Sequence, residues 1–200
     1  YNLHTQSEYS VMDGYSSLEK IVETVKEMGQ TAVSLTEHGV MSSCYPMYEL
    51  CKKNNIKFIP GVELYYVDDV TVKDRVMKHI IFYAKDFEGY KNLLQLVSES
   101  HKNYYYKPRC DIDIIKKYFK GLICTTACMG GILSKDKDKA QNDLIALKEI
   151  FKDDLYIELH TNNMDGQIEF NKWCIENANL YNIKMIPASD SHYSVINDSK

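Results

Sequence analysis

The sequence lacks a CxxC pair, and its six cysteines show no regular spacing along the 200 residues. The absence of paired cysteines argues against a zinc ribbon, and a disulfide framework is not expected in a domain large enough to bury a substantial core. We therefore expect reduced thiols that serve mainly as small buried hydrophobes. These residues are Cys44, Cys51, Cys110, Cys124, Cys128 and Cys174.

Long apolar runs are also absent. No segment approaches the roughly 20 consecutive apolar residues that a membrane-spanning helix requires, and the chain shows no signal-peptide pattern. The sequence starts at Tyr1 without a methionine and passes directly into patterned sequence, so we expect it to begin inside a longer chain. The expectation is a cytoplasmic protein without membrane contacts.

The sequence has no excess of positive charge, since 24 Lys and Arg stand against 28 Asp and Glu, for a net charge of -4. This balance argues against a broadly basic nucleic-acid-binding surface. It leaves open a local site that holds one phosphate through metal ions and a few cations. Repeats, low-complexity tracts and linkers are absent as well. We therefore expect a single globular domain over residues 1–200.

Short β-branched and apolar segments alternate with segments of helical periodicity, which is typical of β/α architecture. Strands are predicted over 31–35, 56–59, 63–67, 76–84, 121–125, 155–159 and 183–187. Helices are predicted over 18–28, 41–54, 87–101, 111–119, 138–151 and 170–181. The alternation by itself predicts an α/β fold with a parallel sheet and does not decide between an open sheet and a closed barrel.

Polar residues at the ends of the predicted strands favour the barrel. His38, Glu63, Cys128 and Asp190 each stand at or just beyond the carboxyl end of a predicted strand. These ends meet on one face of a barrel, whereas an open sheet spreads them along a line. Imidazoles and carboxylates that converge in this way predict a polynuclear metal site. The mixture suits zinc, manganese or iron better than magnesium alone.

Several motifs resemble, in order, those of the polymerase and histidinol phosphatase (PHP) domain family. They are HTQSEYSVMDG at 4–14, TEHG at 36–39, GVE at 61–63, His79, and SDSHY at 189–193. Three further stretches are similar to the amino-terminal domain of bacterial DNA polymerase III α subunits. These are GYKNL at 89–93, YYKPR at 105–109 and GLICTTACMGG at 121–131. The resemblance covers essentially the whole chain.

The resemblance implies a distorted seven-stranded β/α (TIM-like) barrel that holds two or three divalent metal ions, zinc, manganese or iron, at the carboxyl ends of the strands. Gln6 stands where the family has a second histidine, and Glu37 replaces the family's aspartate. The first change weakens or abolishes one metal position, and the second alters support around the ligands. The ligands carried over by motif are His4, Asp13, His38, Glu63, His79, Cys128, Asp190 and His192.

The activity implied is phosphoester hydrolysis, as a 3′-5′ exonuclease beside a polymerase, with Asp190, His192 and Arg109 as catalytic residues. Lys107 and Arg109 would hold the phosphate, because Arg offers a bidentate fork, and the tyrosines at 104–106 would stack on a terminal base. The implied partners are a DNA 3′ end, the remaining polymerase domains of the same chain and a proofreading subunit. No polymerase active site is present in the sequence.

Two alternatives remain open. The domain is a non-catalytic module that stabilises the polymerase or docks a proofreading subunit, a reading for which Gln6 is the main argument. Alternatively it is a free-standing phosphatase that acts on a small monoester such as histidinol phosphate. His160 and Asn162 follow a predicted strand and are further candidates for the rim of the pocket.

Overall fold

The computed structural model describes residues 2–134, 136–162 and 164–194. Helices and strands alternate along these residues, which confirms the α/β class predicted from the periodicity. The strands are β1 (Ala32–Leu35), β2 (Lys57–Tyr66), β3 (Lys78–Ala84), β4 (Arg109–Cys110), β5 (Leu122–Thr125), β6 (Leu155–His160) and β7 (Lys184–Ala188). The helices are α1 (Leu18–Glu27), α2 (Cys44–Lys53), α3 (Phe87–Lys102), α4 (Ile112–Tyr118), α5 (Lys137–Phe151) and α6 (Gln167–Leu180).

The strands form one sheet with the order β1-β2-β3-β5-β6-β7, and the two-residue strand β4, which the periodicity does not predict, pairs with β2. The expectation of a parallel sheet is wrong at β3, which is antiparallel to both β2 and β5. The connection from β2 to β3, residues 67–77, contains no helix. Because a parallel pair requires a long crossover, this short connection brings the chain back antiparallel.

The reversal of β3 matters for the site. Tyr65, near the carboxyl end of β2, pairs with His79, the second residue of β3. The start of β3 therefore lies at the same edge of the sheet as the carboxyl ends of its neighbours.

The sheet is curled into a half-barrel, consistent with a distorted barrel. The amino-terminal segment bridges its two outer strands at one rim. The Gln6 N–H donates to the carbonyl of Ser191 (2.8 Å), beyond β7, and the Thr36 N–H, beyond β1, donates to the carbonyl of Thr5 (2.9 Å). The first motif of the sequence is thereby held between the ends of β1 and β7.

Two apolar clusters hold the helices on the sheet. The larger includes Leu93 and Leu96 of α3 and Leu144 of α5, all packed around Phe82 of β3 without solvent exposure. The smaller joins α1 and α2 to β1. Aspartate and serine caps fix several helix starts, for example Ser17, which accepts a hydrogen bond from the Lys20 N–H. Within the described residues, no helix combines the length and apolar character needed to cross a membrane.

Candidate metal centre

The side chains predicted as ligands come together at the rim formed by the ends of β1 and β7 and the start of β3. His38 follows β1, Asp190 and His192 follow β7, and His79 begins β3. Glu63 lies inside β2 rather than at its end, because the segments predicted at 56–59 and 63–67 form one continuous strand. Three groups with ligand atoms within 4.8 Å of one another result: His4–Glu63–Asp190, His38–Glu63–His79 and Asp13–His38–His192.

The carboxylate of Glu63 is the centre of the site and is 1% exposed. Its Oε2 lies 3.1 Å from His4 Nε2 and 3.4 Å from His38 Nδ1, and its Oε1 lies 2.7 Å from His79 Nδ1. Burial alone would raise the pKa of Glu63, but His4 and His79 hold it well below its usual value. A buried carboxylate with imidazoles around both of its oxygens would serve as a shared ligand for divalent ions.

Asp190 approaches this centre through an unusual backbone conformation. Its φ of 49° lies in the left-handed region, which non-glycine residues rarely adopt. This conformation follows β7 directly, and Asp190 Oδ1 lies 2.9 Å from His4 Nε2. Strained backbone of this kind is concentrated at functional sites. Burial would raise the pKa of Asp190, but the neighbouring imidazole of His4 lowers it overall.

The outer part of the site is more exposed. Asp13 Oδ2 lies 2.6 Å from His38 Nε2 and 3.2 Å from His192 Nε2, and the Asp13 side chain is 46% exposed. The His38 ring also stacks on Tyr65, with ring centroids 5.9 Å apart. This group therefore faces solvent, from which a substrate would approach.

Cys128 lies beside His79 at the inner edge of the site. Its Sγ is 4.0 Å from His79 Nδ1, and the loop that carries it is tied to β3 by the His79 N–H, which donates to the carbonyl of Gly130 at 2.9 Å. Burial would lower the pKa of His79, but Cys128 and Glu63 raise it to about 10. Cysteine and histidine at this spacing suit a metal of the zinc type.

Glu158 is a functional residue that the motif analysis missed. It is fully buried on β6, and its Oε2 lies 2.9 Å from His4 Nδ1 and 3.1 Å from His160 Nε2. Its Oε1 accepts a hydrogen bond from the Thr125 hydroxyl. Burial would raise the pKa of Glu158, whereas His4 lowers it to about 2. A carboxylate behind a histidine fixes the ring so that its other nitrogen faces the metal.

A signal for Glu158 was present in the sequence. It is a lone acid between Ile157 and Leu159 in an otherwise apolar strand, and such a residue requires a buried partner. His160 is 1% exposed and contacts Glu158. It therefore lies behind His4 and not at the rim of the pocket. Asn162 is exposed, and its side chain accepts a hydrogen bond from the Met164 N–H.

Glu37, the second departure from the family pattern, organises the first motif. Its buried carboxylate accepts hydrogen bonds from the Ser7 N–H (3.1 Å), the Ser7 hydroxyl and the Ser10 hydroxyl (2.5 Å). These contacts fold residues 7–10 against the end of β1. The longer glutamate therefore supports the loop that positions Gln6 and Asp13.

The residues present fit divalent metal ions. Among the described residues, His38 Nδ1, Glu63 Oε1 and Asp190 Oδ1 are buried without a hydrogen-bond partner. Imidazole and carboxylate groups lie close to these atoms, but their relative orientation is unfavourable for hydrogen bonds. Buried polar atoms ordinarily require partners, and imidazole, carboxylate and thiol donors together form a ligand set for zinc, manganese or iron.

The structure gives Arg109 a different place from the expected one. Its guanidinium is buried and donates to the carbonyls of Asn103 (3.1 Å), Val72 (2.6 Å) and Val70 (2.8 Å). These hydrogen bonds engage the guanidinium of Arg109 with the 70–72 segment. They are sufficient to explain why the guanidinium is buried, without a phosphate contact. Lys107, in contrast, is exposed, and its Nζ lies 5.2 Å from the ring centroid of Tyr65 at the rim of the site.

The pattern of the PHP domain family matches residues 2–162 of this chain. DNA polymerase III subunit alpha of Aquifex aeolicus is 35% identical over an alignment of 209 residues, and the alignment covers 96% of this chain. The corresponding subunits of Borreliella burgdorferi and Helicobacter pylori are 34% and 32% identical over 96% and 100% of this chain. The chain spans 18% of the length of each of these relatives.

Two solved structures share the fold. A protein provisionally assigned as a metal-dependent phosphoesterase from Bifidobacterium adolescentis superposes with a TM-score of 0.66 at 13% identity, covering 96% of this chain and 87% of that one. An amidohydrolase from Chromobacterium violaceum, solved with bound sulfate and no metal, gives 0.65 at 11% identity with the same coverage. At these identities the likeness establishes the fold alone.

Proposed function

The chain belongs to the PHP domain family, and we propose that it is a metal-dependent phosphoesterase that removes nucleotides from DNA 3′ ends within a replicative DNA polymerase of the polymerase III α type. The observation that carries the proposal is the convergence of His4, His38 and His79 on one buried carboxylate, Glu63. A structural barrel has no need of such a cluster, because burying three imidazoles and several carboxylates together carries a desolvation cost.

The proposal assigns His4, Asp13, His38, Glu63, His79, Cys128, Asp190 and His192 to two or three divalent ions, zinc, manganese or iron. Ions bound there would supply Lewis-acid activation of water and neutralisation of phosphate charge. Glu63 holds the inner imidazoles in place, and Asp190 and His192 complete the site from the far edge of the sheet. The curled half-barrel sheet is the framework that brings these residues together.

Substrate binding falls to the exposed rim. Lys107 is exposed with its Nζ 5.2 Å from the ring centroid of Tyr65, and we assign it the phosphate contact. Tyr104 is 60% exposed and offers a face for the stacking of an unpaired base, whereas the ring of Tyr106 is covered by the guanidinium of Arg75 at 3.8 Å. Because the guanidinium of Arg109 is engaged by backbone carbonyls, we propose no catalytic role for it.

The polymerase context rests on the relatives, all of which carry the name DNA polymerase III subunit alpha and are several times longer than this chain. We propose two kinds of partner: the remaining polymerase domains of the same polypeptide and a separate proofreading subunit. The relatives favour this context over a free-standing phosphatase. The docking-module alternative is favoured by Gln6. The first experiment distinguishes it from the proposed phosphoesterase.

The experiment measures metal content per chain by elemental analysis, on protein purified without chelators or a His tag, and then hydrolysis of a 3′-labelled single-stranded oligonucleotide. Asp190→Asn should remove metal and activity. Asp153→Asn makes the same chemical change at an exposed position before β6, at the opposite edge of the sheet, and should change neither. One ion or none after reconstitution, with no hydrolysis, would favour the docking module.

A further inference from the structure

Ser10 has one hydroxyl proton and two acceptors within reach. Its Oγ lies 2.6 Å from Gln6 Oε1 and 2.5 Å from Glu37 Oε2, and it accepts a hydrogen bond from the His38 N–H at 3.1 Å. An amide oxygen and a carboxylate oxygen both only accept, so the single proton satisfies one of them. The carboxylate is the stronger acceptor, since charge-assisted hydrogen bonds are the shorter and stronger ones.

Half a turn of the Gln6 amide resolves this conflict. With Nε2 toward Ser10, the amide donates to Ser10 Oγ, while the Ser10 proton goes to Glu37 and the His38 N–H keeps its acceptor. The hydroxyl then makes one donor bond and accepts two, which is its full capacity. Gln6 is 1% exposed, so water offers no other way to satisfy these groups.

The same half turn changes what faces Glu63. Gln6 Nε2 now lies 2.6 Å from Glu63 Oε2, and after the turn Oε1 takes that position. Two oxygens that only accept would then face each other, beside His4 Nε2 and Asp190 Oδ1, which are 2.9 Å apart. This arrangement is repulsive without a cation and favourable with one.

We propose that Gln6 is a metal ligand through Oε1, oriented by Ser10 and Glu37, in the group formed by His4, Glu63 and Asp190. The donors of this position are one imidazole nitrogen and three oxygens, and replacing an imidazole by an amide oxygen raises the affinity for manganese or ferrous iron relative to zinc. The position beside His79 and Cys128 keeps nitrogen and sulfur donors and favours zinc. The glutamine thus tunes one position to a harder ion instead of abolishing it.

The inference rests on the metal centre of the proposed function, but its test measures binding. Because zinc binds nitrogen and oxygen donors more tightly than manganese at equal concentration, the metal-free chain is equilibrated with Zn²⁺ and a large excess of Mn²⁺. Both metals are counted after removal of unbound ions. The wild type should retain both. Gln6→Leu should lose one Mn²⁺ per chain and keep its Zn²⁺, and Gln6→His should exchange that Mn²⁺ for Zn²⁺. Ser10→Ala should weaken Mn²⁺ binding about tenfold, as loss of support behind a ligand does.

Equal Mn²⁺ content and affinity in the wild type and in Gln6→Leu would overturn the inference while leaving the proposed hydrolysis intact. Mn²⁺ bound through Gln6 without cleavage of DNA would support the inference and overturn the proposed activity. Should Gln6→Leu fail to fold, Gln6→His decides, since it retains a polar ligand: an unchanged ratio of Mn²⁺ to Zn²⁺ in that variant would overturn the inference.

Discussion

His4 Nδ1 and Glu158 Oε2 lie 2.9 Å apart although 154 positions separate them in the sequence. The contact joins the amino-terminal segment to β6 beneath the metal centre. It leaves Nε2 as the nitrogen that faces Glu63 and Asp190, so the orientation of one predicted ligand depends on a carboxylate outside the predicted set.

Glu158→Gln should weaken metal binding at the His4 group by about 10- to 100-fold, the usual effect of removing a carboxylate behind a ligating histidine. The amide keeps the shape but loses the charge that holds the ring. The measurement is a metal titration of the metal-free protein, with Glu169→Gln, an exposed glutamate on α6, as the control. Equal affinity in both variants would contradict the role assigned to Glu158.

The metal-free protein should be most stable between about pH 4.5 and pH 6.5. The pKa of His79 is raised from 6.5 to about 10, so its contribution is complete below pH 6.5 and is lost as the pH rises through about 10. The pKa of Glu158 is lowered from 4.5 to about 2, so its contribution is complete above pH 4.5 and is lost as the pH falls through about 2.

This profile is measured by urea denaturation in the presence of a chelator from pH 3 to pH 9. His79→Gln should flatten the alkaline side, and it should also reduce stability on the acidic side, because His79 helps to lower the pKa of Glu63. An alkaline side that is equally steep in the variant would show that His79 is not its source.

Metal binding should release protons and strengthen as the pH rises. The carboxylates of Glu63, Glu158 and Asp190 raise the pKa of His4, and Cys128 and Glu63 raise that of His79 to about 10, so these rings bind protons more tightly than free histidines in the metal-free protein. A metal must displace these protons, and affinity should rise roughly tenfold per pH unit for every proton released. Proton release on addition of metal is measured with a pH indicator in weak buffer, and a pH-independent affinity would refute this expectation.

Gly131→Ala should destabilise the protein by about 1–3 kcal/mol. A Cβ at this position would overlap the Thr126 carbonyl oxygen and push out the loop that carries Cys128. Gly130→Ala is the matched control, since a Cβ there meets its nearest neighbour, His79 Nδ1, at an ordinary 3.6 Å. Thermal unfolding of both variants compares them directly, and equal midpoints would argue against close packing at Gly131.

Lys107→Ala and Arg109→Ala should have opposite signatures. The first should raise the KM for an oligonucleotide substrate without affecting stability, because Lys107 is exposed beside the site. The second should lower stability by about 2 kcal/mol or more, since it leaves three backbone carbonyls without their donor. A loss of activity in Arg109→Ala at unchanged stability would restore the phosphate-binding role that the sequence had suggested.

The sequence by itself determined the order of helices and strands and most of the candidate ligands. Helical periodicity and buried β-branched runs are local properties, so α1 and β1 are predicted within about three residues of their observed ends. The predicted ligands His4, Glu63 and Asp190 do meet, because the curled sheet brings the end of β7 towards β2 and the amino-terminal segment is held between β1 and β7.

Tertiary structure alone decided the direction of β3, the partners of Arg109 and the role of Glu158. Strand direction depends on how the 67–77 connection returns to the sheet, and no local pattern encodes that return. The sequence suggested another role for Arg109 and none for Glu158. The partners of these two buried charged side chains are distant in the sequence, since Val72 lies 37 positions from Arg109 and His4 lies 154 positions from Glu158. The local sequence determines the helices and strands and the functional groups on them. The pairing of charged side chains depends on distances that exist only after the chain has folded.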